Sequence, residues 1–142
     1  MKIFLDTSSL IKLYHNEIGT DILDRLFEDN EVGEIFLSDI AKVEFTSAIW
    51  KKVRTKDLTS DEATDIIASF LDDYDKYTFI DVDSELISIA RDLVVKYGLK
   101  GLRTLDSVQL ASIIEVKTGL SFAVTADVLL KSLIELEGIN TK

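Results

Sequence analysis

The chain contains no cysteine, no proline and a single histidine, His15. Without thiols, a disulfide framework and a thiolate metal site are both excluded, and a reducing compartment is permitted. One imidazole likewise excludes metal centres built from several histidines, and His15, in a connector between two helices, reads as a surface residue. The absence of proline removes any Pro-rich linker, and neither an internal repeat nor a low-complexity segment interrupts the sequence. No apolar run approaches membrane-spanning length, and the first residues carry Lys2 and then Asp6 in place of a signal-peptide core. These absences predict a cytoplasmic protein with no membrane association. Positive charge is also scarce: 26 Asp and Glu face 16 Lys and Arg, a net charge of −10. Such a balance excludes a broad basic face, so any contact with nucleic acid must rest on a local cluster of Lys and Arg.

What is present is ordinary globular material. At 142 residues, 46% of them hydrophobic and 30% charged, the chain fits one domain over residues 1–142. Ile3, Phe4 and Leu5 form a short continuous apolar run, the pattern of a strand buried on both faces, and it stops at Asp6 followed by Thr7, Ser8 and Ser9. An acid at a strand's carboxyl end borders the crevice of an open parallel sheet, although Asp before Thr and Ser is also a good helix cap. Leu10, Ile11, Leu13 and Tyr14 predict a short helix, and Thr20 is expected to cap a second with Ile22, Leu23, Leu26 and Phe27. Residues 34–38 read as another strand, after which Ser38 and Asp39 start a long helix to about Arg54. Strand followed by helix, twice over, favours parallel pairing.

Three further acids stand out by position. On the long helix, Glu44, Ser47 and Lys51 share a narrow stripe with Ile40, while Ala41, Val43, Phe45, Ala48, Ile49, Trp50 and Val53 fill most of the circumference. The helix is therefore expected to be largely buried, with its stripe either at the solvent or facing a polar cleft. Lys51, Lys52, Arg54 and Lys56 close it, which suits the helix dipole and makes the densest basic cluster in the chain. Thr59 and Glu62 make a capping box, residues 77–80 a strand or connector, and Asp83 or Ser84 the cap of a helix that Gly98 ends. Thr104 is expected to cap the next helix, with Asp106 in its first turn, where unpaired amides favour a negative charge whatever the function. Phe122, Ala123, Val124 and Thr125 then repeat the opening design, ending at Asp127 before a last helix of Leu129, Leu130, Leu133, Ile134 and Leu136. Gly138 terminates that helix, and Ile139-Asn140 leaves at most a stub of a final edge strand.

In order and local context, the segments IFLDTSSLIKLY, VEFTSAIWK, LRTLDSVQLASI and FAVTADVLLKSLIELEG resemble the PIN domain, and most closely the small VapC-type ribonuclease toxins of type II toxin-antitoxin systems. The resemblance covers essentially the whole chain. It implies a three-layer α/β/α fold with a short parallel central sheet flanked by helices. It also implies that Asp6, Glu44, Asp106 and Asp127 are the catalytic acids and hold one or two Mg²⁺ or Mn²⁺ ions, with Ser8 and Thr125 at the family's small hydroxyl positions. Physics agrees, because carboxylates converging on one crevice repel unless a hard cation with oxygen ligands neutralises them. Arg103 and Lys51 are candidates for contact with the phosphates of an RNA substrate. The activity implied is hydrolysis of RNA phosphodiester bonds to 5′-phosphate and 3′-hydroxyl ends, in a homodimer silenced by a small antitoxin protein. A housekeeping RNA-processing nuclease is the alternative within the enzyme class. A PIN-like binding module that does not cleave is the alternative outside it, and such a module would be expected to lack some of these acids.

Overall fold

The structure is a computed structural model that describes residues 1–142. Along the chain run β1 (Lys2–Leu5), α1 (Thr7–Ile11), α2 (Thr20–Asp29), β2 (Glu34–Ser38), α3 (Ala41–Arg54) and α4 (Ser60–Asp72). They are followed by β3 (Thr78–Ile80), α5 (Ser84–Tyr97), α6 (Thr104–Glu115), β4 (Phe122–Val124) and α7 (Val128–Leu136). The four strands make one sheet in the order β3-β2-β1-β4, and every pairing is parallel. The chain therefore steps outward from β1 through β2 to β3, then crosses back to lay β4 on the other side of β1. In open α/β sheets, ligands bind at the carboxyl ends of the strands where the order reverses in this way. That point lies between β1 and β4, and the residues leaving those two strands are Asp6, Thr125 and Asp127.

Strand alternation divides the core in two. Ile3 and Leu5 of β1, with Phe122 and Val124 of β4, pack under α1 to α4, while Phe4 and Ala123 pack under α5 to α7. The first layer is aromatic: Phe45 of α3 and Phe70 of α4 stack with ring centroids 4.4 Å apart, and Tyr14 meets Phe45 edge-on. The second is aliphatic, built from residues such as Leu86, Leu110, Ile113, Leu133 and Ile134. Full burial of each large apolar side chain contributes about 1.5–3 kcal/mol, so a strand as short as β1 is held by its two faces more than by its length. This is the expected three-layer α/β/α arrangement.

Several boundaries differ from the sequence expectation, each for a local reason. α6 is preceded by Arg103 in extended conformation, and Thr104 is its first helical residue, with its carbonyl accepting from the Ser107 hydroxyl at 2.6 Å. α2 likewise starts after Gly19, whose positive φ of 93° turns the chain, and Thr20 Oγ1 accepts from the Glu17 amide. Ser38 ends β2 as expected, fully buried and bonded to Ser112 of α6 at 2.8 Å, but α3 starts only at Ala41, after Ile40. α3 is less buried than its composition implies: Ala41, Phe45 and Ile49, four residues apart, face the core, whereas Val43 is 66% and Trp50 38% exposed. The capping box of Thr59 and Glu62 forms, and Asp83 caps α5. Beyond α7, Thr141 makes an isolated parallel bridge with Ala123, the stub of an edge strand. No helix is long and apolar enough to cross a membrane.

Candidate active site

Asp6 is both a cap and a crevice residue. Its backbone amide continues the β1–β4 ladder by donating to the Val124 carbonyl at 3.2 Å, and its side chain then caps α1 by accepting from the Ser9 amide at 2.9 Å. The Ser8 hydroxyl lies 2.8 and 2.9 Å from the two carboxylate oxygens, and Thr125 Oγ1 donates to Oδ2. Asp6 is 4% exposed, and burial pushes its carboxyl above the ordinary aspartate value against the pull of these donors. Thr125 also accepts from the Asp127 amide at 3.0 Å, so one hydroxyl joins the ends of β1 and β4. Ser8 and Thr125 thus stand as the immediate holders of Asp6.

Glu44 reaches the same crevice from the first full turn of α3. It accepts from Gln109 Nε2 at 2.8 Å and from Thr7 Oγ1 at 3.1 Å, and Gln109 Nε2 also donates to Thr7 Oγ1 at 3.0 Å. Three elements are thereby tied together around one half-buried carboxylate. Burial raises the Glu44 carboxyl above its ordinary value, the bonds from Gln109 and Thr7 oppose that, and the charges of Asp106 and Asp6 raise it further. Gln109 is 2% exposed and its Oε1 has no hydrogen-bond partner, a polar atom that is normally satisfied in a folded protein. Neither Thr7 nor Gln109 is singled out by the sequence reading, although Gln109 lies one turn after Asp106, where a large polar residue on an otherwise apolar helix is a signal.

Asp106 and Asp127 complete the rim. Asp106 sits in the first turn of α6 and is bonded to nothing; burial, then the charges of Asp127 and Asp6, push its carboxyl up, and Arg103 only partly offsets them. Asp127 caps α7 by accepting from the Leu130 amide at 2.7 Å. Glu44, Arg103, Thr104 and Asp106 line a cavity of about 400 Å³ over this rim. The four predicted acids therefore come from the ends of two strands and the first turns of two helices, and Glu44 and Asp106 feel the charge of acidic neighbours. Arg103 shares their cavity. Lys51 does not: it lines a neighbouring cavity that Ser8 also borders.

In kind, the donors suit a hard divalent cation, since four carboxylates offer oxygen and no sulfur or imidazole. In electrostatics they suit it too, because Glu44 and Asp106 are raised by burial and then by neighbouring acids, with Arg103 a counter-charge to Asp106 alone. In position they are loosely set: no three ligating side chains converge on one point as arranged. Both oxygens of Asp6 are already engaged, whereas the Asp106 carboxylate is held by no hydrogen bond.

Sheet order, layer composition and the acids at the switch point define an open-sheet α/β protein with an acidic crevice at the carboxyl ends of β1 and β4. More particularly, the chain belongs to the PIN domain family, whose model matches residues 3–133. Comparison with curated protein sequences finds no match. Among solved structures, the chain is similar to Mycobacterium tuberculosis VapC20, a sarcin-ricin loop cleaving toxin, with a TM-score of 0.71 and 17% identity over 92% of this chain and 94% of that one. It is also similar to VapBC2 from Rickettsia felis, solved bound to a DNA fragment from its promoter, with a TM-score of 0.63 and 17% identity over 100% and 98%. PAE2754 from Pyrobaculum aerophilum aligns with a TM-score of 0.66 and 18% identity over 99% and 83%. At such identities these likenesses establish the fold.

Proposed function

We propose that residues 1–142 form one divalent-metal-dependent endoribonuclease domain, the toxin of a toxin-antitoxin pair. The observation that supports this reading is the placing of Asp6, Glu44, Asp106 and Asp127 around the switch point of a PIN-family sheet, Glu44 and Asp106 being raised by burial and then by the charge of acidic neighbours. Asp6, Glu44, Asp106 and Asp127 would hold one or two Mg²⁺ or Mn²⁺ ions, which when bound supply an activated water and neutralise charge on the scissile phosphate. The protein's own residues do the rest. Thr125 and Ser8 orient Asp6, while Gln109 and Thr7 fix Glu44 so that its carboxyl group is aimed before substrate arrives. Arg103, beside Asp106, places a guanidinium where a phosphate enters the cavity, and Lys51 offers a second positive contact farther along the backbone. Products would carry 5′-phosphate and 3′-hydroxyl ends.

With the cavity of about 400 Å³ beside Glu44 and Asp106 taken as a narrow substrate cleft, loops and single-stranded RNA are the expected substrates. The toxin reading draws support from VapC20 and from the Rickettsia felis VapBC2 complex, proteins of this fold that are named as a toxin and as a toxin-antitoxin assembly. A basic side chain of a small antitoxin, placed among the four acids, would compete with the cation for the same charge. Exposed Val43 and Trp50 on α3, and Leu105 at the edge of the acidic cavity, offer apolar surface for such a partner or for a second copy in a homodimer. The test is expression: the chain alone in the cytoplasm arrests growth, Asp6→Asn abolishes arrest, and co-expression with the neighbouring small open reading frame relieves it. Harmless expression of folded, RNA-cleaving protein would refute the toxin assignment.

A further inference from the structure

The second cavity deepens this reading. It has a volume of about 410 Å³, lies between α1 and α3, and is bordered by Ser8, Lys12, Glu17, Lys51, Lys52 and Thr55. Its inner end is bordered by Ser8, whose hydroxyl bonds both oxygens of Asp6. Its floor follows α3: Ala48, Lys51 and Thr55 succeed Glu44 by four, seven and eleven residues, one stripe on a helix. Along the axis Lys51 stands about 10 Å beyond Glu44, at 1.5 Å of rise per residue. A chain leaving the acid crevice along α3 therefore passes into this groove without turning.

The groove also reverses the sign of the molecule. On a protein of net charge −10, three lysines gather here against Glu17 and Asp57. They are not equivalent. Glu17 holds Lys12 at 2.9 Å with one oxygen and Lys52 at 2.7 Å with the other, which ties the α1–α2 connector to α3. Lys51 is exposed and makes no ion pair. The carboxylate of Glu17 thus lies between two ammonium groups that line the groove, and Lys51 is the lysine there that has no acidic partner. No aromatic side chain borders the cavity, so it provides no platform for stacked bases.

We propose that this groove is the binding channel for the sugar-phosphate backbone of single-stranded RNA on one side of the scissile bond, with Lys51 as its phosphate contact and Glu17 as the residue that sets its charge. The assignment rests on the nuclease reading. It adds the direction of the strand and a prediction of its chemistry: contacts here are to phosphates, so the channel contributes affinity and register without choosing a base.

Binding of a short fluorescent single-stranded RNA, measured in chelator across a series of salt concentrations, tests it without any cleavage. Lys51→Glu is expected to weaken binding about tenfold or more at low salt and to lower the slope of log affinity against log salt by about 0.7 for each phosphate that the variant no longer neutralises. Glu17→Gln, which frees two lysines, is expected to tighten binding several-fold if thermal melting shows it folded. Arg91→Glu, the same charge change on α5 in the opposite layer, is expected to leave affinity within about twofold. Wild type that binds RNA with no greater sensitivity to Lys51→Glu than to Arg91→Glu overturns the groove and leaves the nuclease reading standing. Wild type that binds no RNA at low salt overturns both. Loss of poly-glutamate binding in Lys51→Glu with RNA binding intact would make the groove a protein dock and overturn the proposal.

Discussion

Asp6 and Asp106 face the same crevice, and the fold treats them in opposite ways. Asp6 is 4% exposed, caps α1 and receives the Ser9 amide and the Ser8 and Thr125 hydroxyls; Asp106 is half-buried, bonded to nothing and pushed up by its acidic neighbours. One carboxylate is part of the structure that joins β1 to β4, and the other is a charge the apo protein carries at a cost. The contrast separates residues whose removal damages the fold from residues whose removal damages only what the crevice does. Glu44 lies between them, bonded by Gln109 and Thr7 yet raised by Asp106 and Asp6.

The largest break in this comparison should come from Asp6→Ala. Loss of the α1 cap together with the partners of two hydroxyls is expected to cost about 2 kcal/mol in urea unfolding, measured in chelator. Gln109→Leu removes the donor to Glu44 and Thr7 together with the unpartnered Oε1, for a net loss of about 1 kcal/mol in the same assay. A neutral result there would show that Glu44 is held by something other than this amide.

Asp106→Asn should move the other way, stabilising the metal-free protein by up to about 1 kcal/mol, because it deletes a repelled charge and breaks no hydrogen bond. The same variant should lose much of the rise in melting temperature that Mg²⁺ or Mn²⁺ gives wild type by binding the folded state. An equal metal response in wild type and Asp106→Asn would remove Asp106 from the ligand set.

A pH series sharpens the point. Asp6, Glu44 and Asp106 have folded-state values above their ordinary 3.8 or 4.5, so the folded protein takes up their protons at higher pH than the unfolded chain. Stability without metal should therefore rise as pH falls through those raised values, and the gain should be complete near the ordinary values. Carboxyls held low by their partners, such as Glu17 and Glu62, act oppositely, but only once pH falls below the ordinary values. Asp106→Asn should flatten the rise. The smallest effect is expected from Lys56→Gly: Lys56 follows α3 with a φ of 65°, a left-handed conformation that glycine adopts without strain, so the change should stabilise by about 0.5–1 kcal/mol and leave the crevice untouched.

The sequence shows much of the Asp6 half of the site and little of the Glu44 half. Strands ending in Asp6 and beside Asp127, a capping box at Thr59 and an acid in the first turn of α6 are local patterns, and each appears where its spacing places it. The Glu44 cradle joins residues 37 and 65 positions apart, which no window along the chain brings together. The exposure of Val43 and Trp50 is hidden too, because composition around a helix does not say which neighbours cover it, and α3 is covered along the stripe of Ala41, Phe45 and Ile49. The separation of Lys51 from the acid cavity is hidden for a similar reason: a shared helical stripe gives direction but not where one cavity ends and the next begins.

The central claim is that the acids assembled at this switch point cut RNA with a divalent cation. Single-stranded RNA incubated with Mn²⁺ and either wild type or Asp106→Asn tests it directly, since this substitution is the one expected to spare the fold. Wild type should cleave to 5′-phosphate and 3′-hydroxyl ends, with the variant slower by about a hundredfold or more while melting no lower in chelator. RNA left intact by wild type, or cut equally well by Asp106→Asn, would contradict the account.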